Sequence, residues 1–188
     1  MATKHRRPTP LAGAAPLPPR RKWRAITIAT LVFMPAYWTL LIGVVAVAAD
    51  SGDAPLAAPY IAFGLALIPF VFVALAFLSE HPRAPAAVVK AMALALLVGI
   101  PVSALAGDAV TGLVAGVGAG GVSALRADAD HNRRARAIAV ILATGYVFVL
   151  VRVASEAALL MAAALPLTSI GIADHLSERR KVRRARPA

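Results

Sequence analysis

The chain reads AMALALLVGIPVSALAGDAVTGLVAGVGAGGVSAL from residue 91 to residue 125, and this stretch decides how the fold is interpreted. Its 35 residues carry one charged side chain, Asp108, near the middle. A helix needs about 20 apolar residues to cross the hydrocarbon core, so the stretch is too long for one crossing and long enough for two short ones. A charge at mid-membrane costs at least roughly 2.5 kcal/mol. The stretch therefore predicts a hairpin of two helices with Asp108 at its tip.

Three other apolar blocks surround this one. Residues 25–49 and 55–79 each fit one crossing, whereas residues 137–173 are long enough for two crossings separated by Arg152 and Glu156. The chain is 60% hydrophobic and 15% charged, whereas soluble domains are nearer half and a quarter. We therefore predict an all-α polytopic membrane protein with six transmembrane helices, at residues 25–49, 57–79, 89–106, 109–125, 137–152 and 156–173.

The distribution of basic residues predicts the orientation. Six helices arranged as three hairpins place every lysine and arginine except Arg152 on the cytoplasmic side, together with both termini. A four-helix arrangement would bury three charged side chains near mid-membrane, and five helices would leave a basic cluster outside. The sequence thus predicts a cell-membrane protein with both ends inside: a disordered basic tail at 1–22, a transmembrane domain at 23–176 and a basic tail at 177–188.

The first apolar block also has features of a cleaved signal peptide, because Ala46 and Ala48 resemble a cleavage site. Signal-peptide cores are about 7–15 residues long, and this block is much longer. It also contains Pro35, Tyr37 and Trp38 near its middle. A retained first helix is therefore the preferred interpretation.

The formal net charge of +11 would indicate nucleic acid as the partner of a soluble protein. Here the basic residues flank apolar blocks, so the favoured partners are anionic lipid headgroups, and nucleic acid is disfavoured. The chain has no cysteine, which excludes disulfides and thiolate chemistry. Arginine greatly outnumbers lysine and alanine is abundant, a composition typical of a GC-rich bacterial genome.

Short motifs recur at the ends of the three predicted hairpins. The outer tips share a small residue, an acid and an alanine: Gly52-Asp53-Ala54, Gly107-Asp108-Ala109 and Ser155-Glu156-Ala157. The cytoplasmic exits share an acid followed by a histidine: Glu80-His81, Asp130-His131 and Asp174-His175. The pattern indicates a threefold internal repeat, and coincidence among charge-rich loops is the alternative. Repeated hairpins frame the substrate site in many transporters, but they also occur without transport.

The three acid–histidine pairs are candidate metal ligands or pH sensors at the cytoplasmic face, because imidazole and carboxylate bind divalent metals. The alternative is that they are solvated helix ends. No predicted helix contains two histidines at ligand spacing, so a metal site would need three helices to converge. We favour solvated ends and expect no cofactor.

Three further sets of residues predict, in turn, helix contacts, a pocket and an ion pair. Gly112, Gly116 and Gly120 form a four-residue ladder, which lets helix backbones approach closely within the monomer, at an oligomer seam or beside a cavity. Possible pocket residues are Tyr37 and Trp38 in the outer half of the membrane and Tyr146 in the middle of the fifth predicted helix, with aromatic packing as the alternative. Arg152 and Glu156 are four residues apart and are candidates for an ion pair at the third tip, with extension of the arginine to the membrane interface as the plainer alternative.

Three functions are compatible with these features. The preferred hypothesis is a non-enzymatic accessory or scaffold protein that binds other membrane components, as a homo-oligomer or with another membrane protein. It is preferred because the sequence shows no catalytic dyad, phosphate-binding loop or central carboxylate. The second hypothesis is a small solute transporter or substrate-capture subunit, which in length and helix number resembles the capture subunits of energy-coupling-factor vitamin transporters. The third is a cytoplasmic-face metal or pH sensor built on the acid–histidine pairs.

Overall fold

The computed structural model describes residues 19–49 and 54–125, together with residues 140, 141, 144 and 145. Within these ranges the chain is all-helical, without strands, and contains four helices in the order α1 (Pro19–Ala48), α2 (Ala54–Leu78), α3 (Ala84–Ala106) and α4 (Ala109–Ala124). The first three are long and apolar enough to cross a membrane, with mean hydropathy values of 2.1, 2.7 and 2.2. The helical membrane class predicted from the sequence is therefore supported.

The first two helices form an antiparallel hairpin because small residues let them approach closely. A methyl group added at Gly43 of α1 would lie 2.6 Å from Ile61 Cγ1, and one at Gly64 of α2 would lie 2.9 Å from the Ala36 carbonyl oxygen. At the other end of the hairpin, Arg21 of α1 forms an ion pair with Glu80, just beyond α2. The two helices thus remain in contact along their length.

The end of α2 is a hydrogen-bonded turn that reverses the chain into α3. The Glu80 N–H donates to the Phe77 carbonyl at 3.0 Å, and the His81 N–H donates to the Ala76 carbonyl at 2.9 Å. This pair of bonds is a Schellman motif, whose pivot residue adopts the left-handed conformation. Glu80 is that pivot, with φ of 52°, although glycine is the usual residue there.

The third and fourth helices form a second antiparallel hairpin, joined by only two residues, Gly107 and Asp108. Gly107 has φ of 67°, a conformation that glycine adopts without steric cost. Asp108 caps α4: its carboxylate accepts the N–H groups of Val110 at 3.0 Å and Thr111 at 2.9 Å. The Asp108 carboxylate thus accepts backbone N–H groups in the first turn of α4, which have no partner within the helix.

The helix bounds differ from the predicted ones chiefly at the N-terminal ends. The first helix begins at Pro19 instead of 25, so residues 19–22 are helical although the sequence placed them in the tail. The third helix begins at Ala84 instead of 89, with Pro85 in its first turn. Proline fits the first turn of a helix because its missing N–H would be unsatisfied there anyway. At 23 residues, α3 exceeds the about 20 residues that one crossing needs, whereas the predicted helix, 89–106, was slightly short.

Several predictions lie wholly or largely outside the described residues. They are the fifth and sixth helices, both tails, the third tip with Arg152 and Glu156, and the pairs Asp130–His131 and Asp174–His175. Tyr146 also lies outside, as do Gly52 and Asp53 of the first tip. The six-helix count and the threefold repeat remain predictions.

Candidate functional site: an apolar groove between the hairpins

A groove of about 440 Å³ separates the α1–α2 hairpin from the α3–α4 hairpin. All four helices line it, and the side chains that these helices contribute are apolar except for the hydroxyl of Ser103. Its volume lies within the roughly 300–1,000 Å³ typical of small-molecule sites. Unlike those sites, however, it offers almost no polar group with which to orient a ligand. Its chemistry therefore fits a hydrocarbon chain better than a polar solute.

The floor of the groove is α4, the most buried helix of those described. Every residue of α4 except Ala109 and Leu113 is buried. Gly112, Gly116 and Val117 form part of the floor, and Gly112 and Gly116 also touch α3. The predicted glycine ladder therefore lies inside the monomer, where it serves both helix contact and groove depth.

The ladder packs against a matching series of small residues on α3. These contacts run antiparallel: Gly112 faces Gly99 and Ser103, Gly116 faces Ala95, and Gly120 faces Ala91. A methyl group at Gly120 would lie 2.6 Å from the Ala91 carbonyl oxygen and 2.8 Å from the Phe72 ring of α2. Since α2 also touches α4 here, Phe72 lies at the end of the groove farther from Asp108.

The rim of the groove is formed by exposed side chains of α2 and α3. Leu65, Met92, Leu96 and Ile100 line the groove and are all substantially exposed. They belong to helices long and apolar enough to cross a membrane, so in a bilayer the rim would face the lipid tails. The groove is therefore open sideways, between the two hairpins.

One end of the groove lies beside the cap of α4, since Ala109 and Val110 belong to its lining. Partial burial acts to raise the pKa of Asp108, but hydrogen bonds from the Thr111 hydroxyl and from the Thr111 and Val110 N–H groups outweigh it. The pKa of Asp108 is consequently held below its usual value, and its carboxylate is charged at neutral pH.

The opposite end of the bundle carries all of the basic side chains in the described part of the chain. Arg20, Arg21, Lys22 and Arg24 lie at the start of α1, while Arg83 and Lys90 lie at and just inside the start of α3. The Arg21–Glu80 ion pair joins these two regions, and both of its side chains are about half exposed. The two ends of the groove-forming bundle therefore differ sharply in charge.

The structure separates Tyr37 from Trp38 instead of bringing them to one pocket. Tyr37 is 2% exposed, and its ring centroid lies 6.2 Å from that of Phe33, within the core. Trp38 is 44% exposed, on the outer surface of α1. Neither residue lines the groove. Neighbours in a helix point about 100° apart, so two consecutive aromatic residues face different surroundings.

The described acid–histidine pair is engaged in local contacts. Glu80 is paired with Arg21, and the Nδ1 atom of His81 accepts the Arg83 N–H at 3.1 Å. Among residues 19–49 and 54–125, no three histidine or acidic side chains come together as a metal site would require. The other two pairs, which the hypothesis needs, lie outside these ranges.

Sequence reasoning missed the groove itself. The glycine ladder indicated close packing, and a cavity was among its interpretations. Leu65, Leu96 and Ile100, however, resemble any lipid-facing residue in the sequence. The signal that was present is the second series of small residues on α3, at positions 91, 95, 99 and 103, whose spacing by four matches that of the ladder.

Comparison with protein-family models, curated proteins and solved structures finds no match to this chain.

Proposed function

We propose that this chain is a six-helix protein of the cell membrane, with both termini in the cytoplasm, that works without catalysis by binding other membrane components. The proposal extends the four described helices by the two predicted from residues 137–173. The observation that carries it is the apolar groove, which opens sideways toward the membrane.

The orientation is supported by the charge difference between the two ends of the bundle. Basic residues near membrane helices are retained in the cytoplasm. The start of α1 and the α2–α3 turn carry arginine and lysine, whereas the α3–α4 turn carries only Asp108. We therefore assign the basic end to the cytoplasm and the Asp108 turn to the outside.

Binding of membrane components is favoured over capture of a polar solute. A solute site needs a few well-placed polar groups in a concave pocket. The described groove supplies one hydroxyl, from Ser103, while Tyr37 is packed into the core. A partner that already lies in the membrane, either a lipid or a transmembrane helix, needs no such groups.

The experiment that tests the proposal is co-purification from the native membrane. The tagged full-length chain is extracted in a mild detergent, and bound proteins and lipids are identified by mass spectrometry. We expect a defined partner, a homo-oligomer or a retained lipid at a fixed ratio to the chain. A monomer that carries none of these would contradict the proposal.

A matched pair of variants makes the result specific. Leu96→Asn places an amide at the groove rim, whereas Leu97→Asn places the same amide on α3 outside the groove lining. Loss of the bound component in the first variant and its retention in the second would assign binding to the groove. Equal losses in both variants would instead indicate a general effect on the membrane domain.

A further inference from the structure

The groove has the length of one leaflet of the bilayer. Along α3 its lining extends from Met92 to Ser103, which is about 16 Å at 1.5 Å per residue. The hydrocarbon core of a bilayer is about 30 Å thick, so one leaflet contributes about half of that. The groove begins beside the outer turn, at Ala109 and Val110, and stops at Phe72. Its span is thus that of a single lipid tail running inward from the outer surface.

We propose that the groove binds one acyl chain of a zwitterionic or neutral lipid, taken from the leaflet at the Asp108 end. This inference rests on the proposed function and deepens it, because it names one of the membrane components that are bound. The lining supplied by the four described helices is apolar throughout its length, and the one hydroxyl among these residues, on Ser103, lies toward the outer end, near the lipid head. Tail and groove therefore match in polarity, length and direction.

The charge near the outer end selects the type of headgroup. In the described part of the chain, the only charged residue beside this end is Asp108, and hydrogen bonds keep its carboxylate ionised. The basic residues of α1 and α3 lie toward the other end of the bundle. A headgroup with net negative charge would be repelled by Asp108, whereas a choline or ethanolamine group would be attracted.

The α4 helix, which forms the floor, explains why the groove is deep enough for an acyl chain. Gly112 and Gly116 bring the α4 backbone close to α3 and present no side chain to the groove. Larger residues at these positions would collide with α3 before they reached the groove. The rim residues Leu65, Leu96 and Ile100 can then cover an acyl chain from the side that faces the bilayer.

The test uses the purified full-length chain in phosphatidylcholine vesicles that contain a phosphatidylcholine probe with a diazirine on its acyl chain. After irradiation, the cross-linked residues are mapped by mass spectrometry. We expect labelling to concentrate on groove residues such as Leu96, Ile100 and Leu113, above the level at Leu97 and Leu105. Leu97 and Leu105 serve as reference positions, because both are highly exposed on α3 but do not line the groove.

A matched pair of variants adds a second measurement. Ile100→Trp enlarges a side chain that lines the groove, whereas Leu97→Trp makes the same kind of change outside it. We expect groove labelling to fall roughly tenfold or more in Ile100→Trp, since each excluded methylene weakens binding several-fold. Leu97→Trp should leave groove labelling unchanged. The mapping on the unaltered chain decides the question even if a tryptophan variant fails to fold.

Three results would overturn the inference. Labelling that is equal on Leu97 and on the groove residues would show ordinary lipid contact. Groove labelling that persists in folded Ile100→Trp would show that the label does not come from an acyl chain held in the space that residue 100 lines. Complete protection of the groove would show that a protein segment fills it, from this chain or from a second copy. Because purified protein is used, these outcomes are independent of whether a protein partner co-purifies from cells.

Discussion

Position 116 requires glycine because of the atoms packed against it, more than because of its own backbone conformation. A methyl group there would collide with the carbonyl oxygen of Ala95, which belongs to the backbone of α3 and cannot turn aside as a side chain can. Glycine otherwise weakens a helix by about 0.5–1 kcal/mol relative to alanine. Gly116 thus weakens α4 locally but allows α3 and α4 to come into contact.

We predict that Gly116→Ala lowers the free energy of unfolding by about 1–3 kcal/mol, because overpacking outweighs the gain in helix propensity. Gly145→Ala is the matched control, since a methyl group at this helical glycine meets nothing within 4 Å. Thermal unfolding in detergent compares the two variants. If Gly116→Ala is as stable as the unaltered chain, the close approach of α3 and α4 is refuted.

Asp108 makes stability depend on pH in a defined direction. Its folded-state pKa lies below its usual value, so its charged form stabilises the folded state. This contribution is complete above the ordinary carboxyl pKa of about 3.9 and is lost as the pH falls through the lower folded-state value. Replacing a capping aspartate by alanine typically costs about 1 kcal/mol.

We therefore predict that Asp108→Ala is less stable than the unaltered chain by about 1 kcal/mol at neutral pH. The difference should shrink as the pH falls below about 4, because the unfolded chain then binds a proton that folded Asp108, with its lower pKa, does not yet bind. Melting temperatures of both proteins between pH 2 and pH 7 provide the measurement. Asp108→Asn, which retains an acceptor oxygen, should lie between them. A difference that does not vary with pH would show that the charge is not what stabilises the turn.

At the scale of helices and turns, the sequence predicted the second hairpin most accurately. The apolar run ends at Ala106, and glycine followed by aspartate is both a helix stop and a helix cap, so the bounds of α3 and α4 at this turn could be identified directly. The start of α3 was missed because Pro82, Arg83 and Pro85 look like loop residues when only apolar runs are counted.

The groove could not be predicted from sequence, for a physical reason. In lipid, a side chain that lines a groove and one that faces the bilayer have the same polarity, so Leu96 and Leu97 are indistinguishable there. Only the placement of one hairpin relative to the other determines which of these two residues lines the groove. Pairing within each hairpin leaves a readable pattern of small residues, whereas the contacts that α2 makes with α3 and α4, among them Phe72 against Gly120, leave no such pattern.

The α2–α3 turn gives a prediction about backbone strain. Glu80 has φ of 52°, which costs a residue other than glycine roughly 1–2 kcal/mol, while its exposed ion pair with Arg21 contributes about 0–1 kcal/mol. We expect Glu80→Gly to be more stable than Glu80→Ala by about 1 kcal/mol, because both lose the ion pair but only glycine removes the strain. Chemical unfolding of the two variants measures this difference, and equal stabilities would contradict it.

For the whole molecule, the absence of cysteine makes the proposed orientation directly testable. Pro82→Cys and Ala109→Cys place single thiols at exposed positions, the first in the α2–α3 turn and the second directly after the α3–α4 turn, at opposite ends of α3. In intact cells, a membrane-impermeant maleimide should label Ala109→Cys and leave Pro82→Cys unlabelled until the membrane is opened. The reverse pattern would invert the topology, and labelling of both in intact cells would refute the assignment of the turns to opposite sides.

The two-residue connection between α3 and α4 also bears on how the protein is made. At 16 residues, α4 is about 24 Å long, and its many glycines make it a weak candidate for entering lipid alone. A link of two residues is too short for α4 to insert separately, since α4 directly follows α3 as the chain leaves the ribosome. We expect α3 and α4 to enter the membrane as a unit, so that insertion of α3 also inserts α4, the helix less suited to lipid.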